Sequence, residues 1–189
     1  MSSKGSNFFW DSCCFIAFLN DDRNAYDIPS LEQFLGDAKN GKARIYSSTI
    51  TLAEVRPSFL KKRSIGTFAD FVDDLSGAVV LLDPTPDIMT KAGYLRDLKY
   101  KKANATGRQL GTPDAIMLAT CVYLRDTLGV AVDHFHTYDQ GKKRGLEGGK
   151  GIPLIGYQEW CEGLSNNPTA LEVISLSRCH PIHPEPRLT

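Results

Sequence analysis

Short apolar segments separated by helical patterns constrain this fold more than any other feature of the chain. FFW at residues 8–10, ARIYSS, GAVVLLD and VDHFHTYD read as buried strands, and IPLIG offers a fifth. Apolar strands that alternate with helices belong to a parallel sheet covered on both faces. The expected architecture is α/β. It is a three-layer α/β/α sandwich around a central, mostly parallel sheet of four to five strands.

The intervening helices carry their own punctuation. Ser12 can cap a helix that follows the first strand. SLEQFLGDAKNG has helical apolar spacing at Leu31, Phe34 and Leu35, and Gly41 closes it. TITLAEVR is a short helix stopped by Pro57. Residues 64–75 place Ile65, Phe68, Phe71, Val72 and Leu75 on one helical face. A further helix starts near Thr85. GTPDAIMLATCVYLRDTLG is the clearest helix, with Thr112 as cap, Pro113 in the first turn and Gly129 at its end. After Cys161 the composition shifts to one short helical pattern and a proline-rich tail. The expected organisation is one domain over residues 1–160 and an extension over 161–189, which docks, wanders or binds a partner.

The 189 residues carry no formal net charge, so nucleic-acid binding would need local basic patches. No apolar run approaches the roughly 20 residues of a bilayer span, and the start lacks the pattern of a secretory signal. The five cysteines form no CxxC pair, which fits free thiols in a reducing cytoplasm.

Sites in open parallel sheets form beyond the carboxyl ends of the strands. Asp11 ends the first strand and Asp139 the fourth. Glu54 lies in the helix after the second strand, and Asp114 in the first turn of the strongest helix. Each has an ordinary reading alone: a strand-end or capping acid, a solvated helix residue, a first-turn acid favoured by the helix dipole, a turn residue. Four acids from four distant segments can nevertheless meet at one edge.

The contexts FWDSCCFIAFL, SSTITLAEV, GTPDAIMLATCVYL and FHTYDQGKK resemble, in order and spacing, the four acidic motifs of the PIN domain. TLAEV and PDAIMLAT carry most of that likeness, which spans roughly residues 8–157. The nearest flavour is the VapC-type toxin ribonuclease branch. The resemblance implies a PIN-like fold and a metal-dependent endoribonuclease whose site is Asp11, Glu54, Asp114 and Asp139, with Thr137 matching the small hydroxyl residue common there. It also implies an RNA substrate, a homodimer, and a small antitoxin laying a segment over the acidic cleft, with an arginine among the carboxylates. A PIN-type RNA-processing or DNA-acting nuclease, or a PIN-like binding module without catalysis, are the alternatives. The long tail and the acidic loop over residues 20–30 depart from compact members.

Four packed carboxylates repel one another, and a divalent cation removes that penalty. Oxygen ligands favour Mg²⁺ or Mn²⁺. Two ions ~4 Å apart would activate a water and stabilise the leaving oxygen of a phosphodiester. Asp11 and Asp114 are the expected principal ligands. Glu54 and Asp139 would complete the shell, with Ser12 and Thr137 in support.

Basic clusters flank these segments. Lys61, Lys62 and Arg63 follow Glu54. Lys101, Lys102 and Arg108 precede Asp114. Lys142 and Lys143 follow Asp139. They are candidates for gripping RNA phosphates, although lysine runs are commonly just solvated surface. Tyr100 offers a stacking face or simple packing. His134 and His136 share a strand face, and packing is the preferred reading over a transition-metal pair. CHPIHP near the end is a similar weak signal. Asp133 competes with Asp139 for the fourth position, and the HTYD pattern favours Asp139. The glycine-rich KRGLEGGKG lacks the order of a phosphate loop and reads as a flexible loop.

Overall fold

The computed structural model describes residues 5–74, 77–103, 105, 107–141 and 151–184. Five parallel strands form one sheet: β1 (Ser6–Trp10), β2 (Ala43–Ser48), β3 (Val79–Leu82), β4 (His134–His136) and β5 (Arg178–Cys179). Their order is β3-β2-β1-β4-β5. Phe8 pairs with Ile45 on one side and with His134 on the other. The chain therefore adds strands outward in one direction from β1, then returns to its other side. The crevice between β1 and β4 is the switch point of the topology, where such sheets place their ligands.

Alternation along each strand sends neighbouring side chains to opposite faces. Phe9, Tyr46 and Phe135 join a core with α6 (Pro86–Asp97), α7 (Thr112–Asp126) and α8 (Pro168–Ile174). Trp10, Ile45 and Val79 join another with α1 (Ser12–Asn20), α2 (Ile28–Lys39) and α5 (Phe68–Asp74). Each large apolar side chain buried in this way contributes about 1.5–3 kcal/mol. Among the described residues no helix is long and apolar enough to cross a membrane. All five cysteines are free.

Several local expectations are corrected. Ser12 does not cap α1. Asp11 occupies the cap position without a side-chain capping bond, and Ser12 is the first helical residue. Thr112 is likewise the first helical residue of α7, and Gly111 is the cap. A Cβ on Gly111 would come within 2.7 Å of Asp114 Oδ2, so glycine leaves room for that carboxylate.

Pro57 stops α3 (Thr51–Glu54) but also opens α4 (Pro57–Leu60), because proline fits a first helical turn. A 3₁₀ turn follows over Lys61–Arg63. The helix expected over residues 64–75 starts later, since Ser64 adopts a left-handed φ of 55°. Reciprocal bonds between Thr67 and Asp70 then initiate α5. Leu75 lies outside the described residues.

IPLIG is not a strand. Ile152 and Leu154 are buried, but the Ile152 and Ile155 amides bond to the carbonyls of Gln109 and Asp139 rather than to a strand. The fifth strand is instead β5, from the extension after Cys161. Over its described part that extension is docked: Val173 and Leu176 enter a core, and Cys179 pairs with His136.

Candidate functional site

Four segments deliver acids to one cavity. β1 ends at Trp10, and Asp11 follows with its amide bonded to the His136 carbonyl on β4. α3 presents Glu54, and the first turn of α7 presents Asp114. Asp139 lies just beyond β4. All four line a cavity of about 890 Å³ at the carboxyl ends of β1 and β4. Among the described residues, none of the four is in an ion pair with a Lys, Arg or His.

Asp11 is buried, with 5% of its surface exposed. Its Oδ2 accepts hydrogen bonds from Thr137 Oγ1 at 2.7 Å and Cys13 Sγ at 2.9 Å. Burial raises its pKa well above the ordinary carboxylate range, and the nearby Asp114 charge adds to the rise. Asp114 is pushed up to about 7, first by burial and then by repulsion from Asp139 and Glu54. Glu54 is also raised by burial, with the Ser12 hydroxyl opposing. The four acids thus behave as one electrostatic unit short of positive charge.

Asp139 differs from the others. Its Oδ1 accepts the Gly141 amide at 2.8 Å and its Oδ2 the Leu154 amide at 3.1 Å. It anchors the loop that leaves β4 as well as facing the cavity. Among the described residues no group of three or more His, Cys, Asp or Glu side chains is arranged to hold a metal ion. The acids share a cavity without closing around one point.

Buried hydroxyls hold the frame. Ser47 Oγ donates to the Trp10 carbonyl at 2.7 Å and lies 3.1 Å from Thr51 Oγ1, which in turn lies 3.0 Å from Ser12 Oγ. This chain fixes α3, and so Glu54, against the end of β1. Thr137 does the same for β4: its hydroxyl donates to Asp11 and accepts the Asp139 amide at 3.0 Å. Ser47 and Thr51 were not singled out from the sequence, although SSTIT carries an unusual density of hydroxyls between a strand and a helix.

The basic candidates mostly serve elsewhere. Arg63 donates to the Phe18 carbonyl and Asp21, pairs with Glu32, and covers the Phe18 ring, away from the acidic cavity. Lys101 pairs with Glu162 and Lys102 with Glu159. Lys61 is exposed. Arg108 stands nearest to the site: it lies over Trp160 and donates to the carbonyl of Gly151, a cavity residue. Lys142, Lys143, most of KRGLEGGKG and the Lys62 side chain lie outside the described residues.

Tyr100 is packing: it is buried, and its hydroxyl bonds to the Leu95 carbonyl and to Tyr157. His136 is packing too. Burial holds its pKa at about 3, and its Nδ1 accepts from Trp10 Nε1. His134 lies beside Ser177 on the exposed side. Asp133 bonds to the Asn7 amide at the opposite end of β4.

Sequence reasoning missed one wall of the cavity. Tyr26, Tyr138 and His180 line it, together with Cys13 and Ile182. The repeated CHPIHP pattern was the available signal for His180. The sequence matches no protein-family model and no curated protein.

Proposed function

We propose that this cavity is the active site of a PIN-like, metal-dependent endoribonuclease. The observation that carries the reading is the convergence of Asp11, Glu54, Asp114 and Asp139, from four distant segments, on one cavity where burial and mutual repulsion push Asp11 and Asp114 upward. The donor set fits a hard divalent cation: it is all oxygen, highly charged and uncompensated among the described residues. Asp11 and Asp114 would hold Mg²⁺ or Mn²⁺, with Glu54 and Asp139 acting directly or through water. The ion would supply an activated water and charge neutralisation at the phosphodiester.

The chain's own residues do the rest. Thr137 aims Asp11 and positions the Asp139 backbone. The Ser12–Thr51–Ser47 hydroxyls hold Glu54 in place. Arg108, beside Gly151, is the described cation best placed to meet a phosphate at the cavity rim. The PIN-like motifs add the toxin assignment, and with it a cytoplasmic setting, a homodimer and an antitoxin that covers the acids.

Incubation with labelled RNAs and single-stranded DNA, in Mg²⁺, Mn²⁺ or chelator, tests the reading. Metal-dependent RNA cutting that disappears in Asp114→Asn is expected. A folded wild type inert with every metal would remove the nuclease. Asp139, with each oxygen already held by a backbone amide, favours a second reading: a PIN-like module that binds nucleic acid without cutting it. RNA binding without hydrolysis would select that alternative.

A further inference from the structure

We propose that the C-terminal strap over residues 178–184 builds a stacking wall for one unpaired RNA base beside the four carboxylates. This inference rests on the nucleic-acid reading of the cavity. It concerns residues that the acidic motifs do not include.

The strap is fixed at both ends. At one end β5 pairs with β4, and the Thr137 amide donates to the Cys179 carbonyl at 3.0 Å. At the other, the His183 amide donates to Ser30 Oγ at 2.9 Å, and its ring meets Phe34 edge to face with Nε2 3.0 Å from Asp37 Oδ2. The segment between these anchors contributes His180 and Ile182 to the lining of the acidic cavity. Ile182 is 67% exposed, an apolar side chain presented at the opening rather than buried.

His180 is held in one orientation. Its Nδ1 lies 3.0 Å from the Thr137 carbonyl, which can only accept, so Nδ1 carries the proton. Its Nε2 is then free to accept from Gln140 Nε2 at 2.9 Å. The ring stacks on Tyr138, with centroids 5.6 Å apart and planes 26° apart. Tyr138 meets Tyr26 at 4.6 Å. Three rings thus pack in succession in the lining of the cavity that also holds the four carboxylates. The Tyr138 hydroxyl is buried without a hydrogen-bond partner among the described residues.

A nucleotide has the matching halves: a planar base for the rings, and a phosphate for a cation held by the acids. The cavity has room for a whole nucleotide. A base enclosed there cannot remain paired, so the wall selects single-stranded RNA. Because the rings already pack on one another and His180 is hydrogen-bonded, little ordering is needed on binding.

The probe is short single-stranded RNA carrying 2-aminopurine at one position after another, titrated with full-length wild-type protein in Ca²⁺, an oxygen-seeking ion used in place of Mg²⁺ to hold back cleavage. Quenching at one position is expected, and none with the same strand in a duplex. Tyr138→Ala and His180→Ala should each weaken binding about tenfold and abolish the quench, whereas Tyr138→Phe keeps it. Tyr26→Ala, in a loop, serves if Tyr138→Ala does not fold. Wild-type cleavage is scored separately. Quenching that behaves as expected while wild type cuts nothing upholds the wall and removes the nuclease reading. Cleavage without a quenched position, or a quench unchanged by every ring substitution, overturns the wall and leaves the nuclease.

Discussion

The two ends of the β1–β4 pair carry acids in opposite circumstances. At the amino end, exposed Asp133 accepts the Asn7 amide at 2.8 Å and is not part of the cavity lining. At the carboxyl end, Asp11 is buried, bonded to Thr137 and Cys13, and shares a cavity with Glu54, Asp114 and Asp139. The residue type is the same and the strands are the same. What differs is what the topology collects nearby: the switch point gathers acids at one end only. A site of this kind is a property of the crossover, and a local motif alone does not make it.

The sharpest way to break that contrast is to neutralise one acid at each end. Asp11→Asn should abolish RNA cleavage, measured by gel assay, while Asp133→Asn leaves it unchanged. Equal losses would mean that the two ends are not distinct. Thr137→Val removes the hydroxyl that aims Asp11 and meets the Asp139 amide. A fall of about 10- to 100-fold in cleavage rate is expected, as for other residues that orient metal ligands.

Stability sharpens the contrast further. Asp114 rises from 3.8 to about 7 on folding, so the unfolded chain ionises first. Ionisation in the fold is opposed, and stability is lost as pH rises between these values. The loss at full ionisation is on the order of 4 kcal/mol. Without divalent cations, Asp114→Asn should therefore melt higher than wild type above pH 7, by roughly 2–4 °C per kcal/mol recovered. The gap should close near pH 4, and a gap that persists there would contradict the electrostatic cause. The smallest effect belongs to Asp133→Asn, whose exposed bond should change unfolding free energy by no more than about 1 kcal/mol in a urea titration.

Much of this contrast was legible in the sequence. The first four strands announced themselves as apolar runs, Asp11 and Asp139 stood at the carboxyl ends of the first and fourth, and Glu54 and Asp114 stood in helices. The start of α6 was read near Thr85, whose hydroxyl accepts the Ile88 amide. The failures have local physical causes. Thr67 and Asp70 restart a helix that apolar spacing alone would begin at Ser64. Ile152 and Leu154 bury themselves without pairing as a strand, so burial imitates a strand pattern. Arg63 follows the Glu54 helix in sequence but folds back onto Asp21, because closeness along the chain does not set direction in space. β5 has only two residues, too few for any periodicity, and the strap that follows it could not be placed on the cavity without the sheet.

Calorimetric titration with Mg²⁺ tests the central claim most directly, because it reads the convergence of the acids without needing the right RNA. Wild type should bind the ion. At pH 6, where Asp114 is largely protonated and Asp11 is raised as well, binding should release protons, seen as a heat that changes with the buffer's ionisation enthalpy. Asp114's share of the release should be lost by pH 8.5, and Asp114→Asn should bind far more weakly at both values. No binding heat in folded wild type, or an equal heat in Asp114→Asn, would contradict a cation site built from these four carboxylates.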